Sequence, residues 1–94
     1  MKAKMIAFVF AASLSGAALA DCDEPAKPAI PDGTSASAAD MFKAKKEVDA
    51  FIKASESYLE SCRVSDRRHN IMVAEMQKVA SEFNENLRVY KDRA

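Results

Sequence analysis

From Thr34 to the end of the chain at Ala94 there is neither a glycine nor a proline, and apolar residues recur at alternating steps of three and four. A long stretch with no strong helix breaker and a helical hydrophobic period confines the fold to helices packed along one stripe. Met41, Ala44, Val48, Phe51, Ser55, Tyr58 and Cys62 mark a first seam, widened by Ile52 and Leu59. His69, Met72, Met76, Val79, Phe83, Asn86 and Tyr90 mark a second, flanked by Val73, Ala80 and Leu87. Three apolar positions per heptad suit a core-facing helix in a small bundle. Strand-like alternation is absent. Charges four apart support the outer faces: Lys43 with Glu47, Asp49 with Lys53, Lys78 with Glu82, Arg88 with Asp92.

Between the seams, Arg63-Val64-Ser65-Asp66-Arg67-Arg68 is polar and out of phase. Ser37, with Asp40 three residues on, is placed to cap a first helix, and Ser65 or Asp66 a second. The pattern predicts two helices, about 37–62 and 66–91, folded back as an all-α antiparallel hairpin over residues 37–94. The competing arrangement is one continuous helix that buries its stripe against another chain.

The start of the chain reads differently. Lys2 and Lys4 precede an apolar run from Met5 to about Leu14, then small residues closing on Ala18-Leu19-Ala20. A charged start, a short apolar core and an A-x-A site make residues 1–20 a signal peptide, too short for a membrane anchor. The mature chain is then expected to begin at Asp21, in the periplasm or outside the cell. Leu19-Ala20-Asp21-Cys22 also resembles a bacterial lipobox, but Asp21 stands where Gly, Ala or Ser is needed. Ordinary cleavage is favoured, with a lipoprotein as the minor alternative.

Residues 21–36 form a third region. Pro25, Pro28 and Pro31 recur at the period of a polyproline II helix, and Asp32-Gly33 marks a turn. Cys22 and Cys62 are the only cysteines. An even count in a short exported chain reads as a disulfide, against the alternative of two free thiols. Closing that loop is worth roughly 4 kcal/mol on the chain-entropy account. The reach fits. The arm from Cys22 to Ser37 spans about 46 Å when extended, and a helix from Ser37 to Cys62 is about 38 Å long. An arm turning at Asp32-Gly33 therefore runs back along the first helix and delivers Cys22 to Cys62 at its far end. Ile30 and the proline rings then cover part of the apolar stripe.

Composition excludes some function classes. Without Lys2 and Lys4, 12 basic side chains face 14 acidic ones, a net charge near −2. Nucleic-acid binding, which neutralises many phosphates, is not expected of such a domain. No catalytic constellation is visible, and no cofactor is expected. Asp66-x-x-His69 offers two metal ligands where zinc needs three or four. No G-x-S-x-G turn or C-x-x-C pair occurs. Met41, Met72 and Met76 at heptad spacing read as gap-filling core residues rather than copper ligands.

Arg63, Arg67, Arg68 and His69 form the one basic cluster, at the predicted bend. It could dock an anionic partner. Cations beside a helix C-terminus also offset the helix dipole, and this local purpose is weighed first. The apolar stripe is the other candidate surface, for self-association into a four-helix bundle or for a protein partner.

Taken together, Cys22, Pro28-Ala29-Ile30-Pro31-Asp32-Gly33, the run from Met41 to Phe51, Tyr58-Leu59-Glu60-Ser61-Cys62 and Val79-Ala80 through Phe83-Asn84 resemble a family of small exported proteobacterial proteins of unknown function. The resemblance implies export, the disulfide and the hairpin, and implies no activity. The expected role is a non-enzymatic interaction or structural protein of the periplasm. The alternative is a periplasmic stress chaperone or metal-buffering protein.

Overall fold

The structure is a computed structural model, and its described residues are 22–94. The signal peptide assigned to residues 1–20 lies outside them. Two helices are present, α1 over Ala38–Ser61 and α2 over Asp66–Arg93, with no strand among the described residues.

Each helix starts where a serine can accept an orphan amide. Ser37 and Asp40 form a reciprocal capping box: Asp40 N–H donates to Ser37 Oγ and Ser37 N–H to Asp40 Oδ2, both at 3.1 Å. Ser65 caps α2, its Oγ accepting from Arg68 N–H at 3.0 Å. With no glycine to end it, α1 stops because Cys62 takes an extended conformation, with φ −114° and ψ 146°. The connection is then short enough to fold α2 back antiparallel to α1. Outer charge pairs are partly as expected: Lys43 with Glu47 at 3.9 Å and Arg88 with Asp92 at 3.4 Å. Asp49 instead pairs one turn back with Lys45, at 3.1 Å.

The core is a single seam. Met41, Ala44, Val48 and Phe51 from α1 cluster with Val79 and Phe83 from α2, and Ile30, Ile52, Met76, Leu87 and Tyr90 pack against them. The buried face of α1 includes the small Ala44 and Ser55, and that of α2 the larger Met72, Val79 and Phe83. Ser55 and Met72 are the largest fully buried side chains. His69, which begins the second seam, is exposed, because it sits in the first turn beyond the bend.

The arm supplies the third layer. Cys22 is bonded to Cys62, with Cα atoms 5.4 Å apart. From there the chain follows the groove between the helices. Pro28 borders Ala50, Phe51 and Ala54 of α1 on one side, and Lys78, Val79 and Glu82 of α2 on the other. Ile30 reaches the core, and the chain turns at Asp32, whose carbonyl accepts from Ser35 N–H at 3.1 Å and Ala36 N–H at 2.9 Å. The lengths agree: an extended chain from Cys22 to Gly33 covers roughly 34 Å, and α2 from Asp66 to Asn86 covers roughly 30 Å.

Candidate interaction site

The helix bend gathers most of the chemistry expected from the sequence. Arg63 lies on the connection, and Arg67, Arg68 and His69 lie in the first turns of α2, all exposed. This corrects the dipole reading of the cluster. The last turn of α1 contains no basic residue, and only Arg63 falls just past its cap. The other three stand at the N-terminus of α2, the positive end of that helix, where cations are disfavoured. The Arg68 charge is met from the arm. The disulfide brings Asp23 and Glu24 to this end, and Glu24 Oε2 lies 3.2 Å from Arg68 Nη1. Asp66 adds an acidic group in the first turn, where it favours the helix. Ser65, Arg67, Arg68 and Ile71 line an open depression of about 280 Å³ beside the pair. The sequence shows the arginines as a cluster; it does not show that the arm's own acids face them.

The second constellation lies at the other end of the molecule. Gly33 N–H donates to Asn86 Oδ1 at 2.9 Å, and Arg93 Nε donates to Gly33 O at 2.8 Å. Arg93 also donates through Nη2 to the Ala36 carbonyl. Asn86 in turn donates from Nδ2 to Glu82 O at 3.0 Å, which fixes its amide. Asp32 Oδ1 accepts from both the backbone N–H of Thr34, at 2.9 Å, and its hydroxyl, at 2.7 Å. These bonds, with the nearby Arg93 cation, hold the Asp32 carboxyl below its ordinary pKa. Sequence reading placed Asn86 on the core stripe and passed over Arg93. A polar amide at a core-facing position was the available signal.

The remaining candidates resolve into packing. Met41 and Met72 are 4% and 1% exposed, inside the core and not presented to a metal. No group of three or more His, Cys, Asp or Glu side chains able to hold a metal ion occurs among the described residues. An open trough of about 480 Å³ runs between the arm at Pro25 and Pro28 and α1 at Ala50, Phe51 and Ala54. No helix among the described residues is long and apolar enough to cross a membrane. No protein family, curated protein or solved structure matches the chain.

Proposed function

We propose that this chain is an exported, non-enzymatic protein of the periplasm that acts through its surface, as an interaction or structural module. The observation that carries the reading is the Cys22–Cys62 bond. Such a bond persists in oxidising compartments and is rare where thiols are kept reduced, which agrees with the leader-like start of the sequence. The bond clamps the arm over one groove of the hairpin. That leaves Arg63, Arg67, Arg68 and His69 exposed at the bend, a surface suited to contact with another protein.

The test is expression of the full chain from its own start, followed by fractionation and intact-mass measurement. The expected result is an envelope or external protein beginning at Asp21, with two hydrogens fewer than the reduced mass. Retention in the cytoplasm with both thiols free overturns the reading.

A further inference from the structure

We propose that residues 22–29 are a redox-released strap: reduction of Cys22–Cys62 frees them from the groove and uncovers Phe51, while the hairpin beneath stays folded. The inference goes beyond the interaction reading above, since it gives the covered groove two states.

The arm is held firmly at its two ends and weakly between them. At the bend its tie is the Cys22–Cys62 bond. At the opposite end Gly33 N–H donates to Asn86, Arg93 donates to the Gly33 and Ala36 carbonyls, and Ile30 packs against the core. From Asp23 to Ala29 the chain makes no hydrogen bond to either helix among the described residues, and the Glu24–Arg68 pair is its one polar tie. Pro25 and Pro28 are half-buried, and the residues between and around them are exposed. Open troughs run along both edges of this stretch, about 480 Å³ against Ala50 and Ala54 of α1 and about 220 Å³ against Glu75 and Lys78 of α2. Atoms that face a gap forgo the dispersion contacts that would hold them. The end of the arm at the bend therefore depends on one covalent bond.

The hairpin does not depend on the strap in the same way. Its buried cluster is drawn from α1, α2 and Ala36, and its serine caps are local. Pro25 and Pro28 keep the strap extended, so it swings from Ile30 as a semi-rigid rod roughly 25 Å long. The swing takes both prolines off Phe51, which is 4% exposed with the strap in place.

The bond is open to exchange. Cys22 is exposed and Cys62 half-buried, and exposed disulfides are the labile ones. A protein dithiol supplies the electrons. Its first thiolate bonds to the Cys22 sulfur, and Cys62 leaves as a thiolate. Its second thiolate then attacks its own sulfur in the mixed disulfide, and Cys22 leaves. The two cysteines take up two electrons and two protons, and the donor ends as a disulfide.

The test is hydroxyl-radical footprinting of the full chain, oxidised and after dithiothreitol, read by mass spectrometry at Phe42, Phe51 and Phe83. Circular dichroism is recorded alongside. Phe42, 63% exposed, reports the radical dose, and Phe83, buried in the core between the helices, reports global opening. Oxidation of Phe51 is expected to rise severalfold on reduction, with Phe42, Phe83 and the helical signal unchanged. The double variant Cys22→Ser/Cys62→Ser is expected to show the same pattern without reductant, which separates the effect of the bond from that of the reagent. An unchanged Phe51 in the reduced chain overturns the proposal, because the arm then stays seated without its bond. A joint rise at Phe51 and Phe83 with loss of helical signal overturns it too, because the bond then holds the whole fold. Either result leaves the export reading standing, since fractionation and intact mass decide that separately.

Discussion

Gly33 rests on the backbone of Asn86. Its N–H reaches Asn86 Oδ1 at 2.9 Å, and a Cβ placed on it would overlap the Asn86 carbonyl oxygen and lie 3.1 Å from Val89 Cβ. The backbone of Gly33 has no positive φ. The glycine is therefore required for close approach, and conformational freedom has no part in it. This contact joins the turn that opens α1 to the last turns of α2.

Replacing Gly33 with alanine is accordingly expected to destabilise the fold by about 1–3 kcal/mol, the usual cost of forcing a group into a filled space. The clash is with helix backbone, so no side chain can swing clear of it. Thr34→Ala, one residue on, loses only exposed bonds to Asp32 and is expected to cost less than about 1 kcal/mol. Urea denaturation of the two variants checks the order.

Ser55 gives the opposite sign. It is 0% exposed, and its Oγ has no hydrogen-bond partner. Burial of an unsatisfied hydroxyl costs free energy. Ser55→Ala is expected to stabilise the protein by about 1 kcal/mol, removing the orphan group and improving helix propensity. Ser55→Leu is expected to destabilise, because a larger side chain is forced into a fully buried site. Thermal unfolding of both variants reads the two signs.

The disulfide and the Asn86–Arg93 lock divide the arm into two parts that respond differently to reduction. Opening Cys22–Cys62 is expected to lower stability by roughly 4 kcal/mol on the chain-entropy account. Besides the packing of Pro25 beside α1, the first part of the arm then keeps the exposed Glu24–Arg68 pair, with side chains 44% and 46% exposed, and such a pair is worth about 1 kcal/mol at most. The turn keeps its bonds from Gly33 to Asn86 and Arg93. Backbone nitrogen relaxation after mild reduction is therefore expected to show greater mobility over residues 23–27 while the hydrogen-bonded amides of residues 33–36 keep their exchange protection. Equal mobility along the whole arm would contradict this division.

The pH dependence follows from Asp32. Thr34 N–H, then the Thr34 hydroxyl, then the Arg93 charge lower its pKa in the folded chain. A group whose folded pKa lies below its unfolded value contributes stability above the unfolded value and loses it as pH falls through the folded one. The contribution of Asp32 is thus present at neutral pH and disappears below about pH 4. Asp32→Asn is expected to flatten the acid limb of a melting-temperature profile between about pH 2 and 5. An unchanged acid limb would mean that the turn carboxylate does not couple to folding.

The two helices, their serine caps and the seam from Met41 to Phe51 were legible in the sequence because each depends on residues three or four apart. Local chemistry settles such features: Ser37 and Asp40 cap α1 by bonds that span three residues. The Cys22–Cys62 pairing was legible by count and reach. The partners of single charges were not. The predicted second helix already carried Arg67 and Arg68 in its first turn; what sequence did not show is that the disulfide anchors the arm there and sets Glu24 against Arg68. Asn86 and Arg93 were equally hidden, since their partners Gly33 and Ala36 lie more than fifty residues away. Sequence by itself determined the helical period, its interruption and the means of clamping the arm, all set by short-range geometry. Only the tertiary structure decided which flank the arm covers and which polar groups meet across it, because those contacts exist only once the chain has folded back on itself.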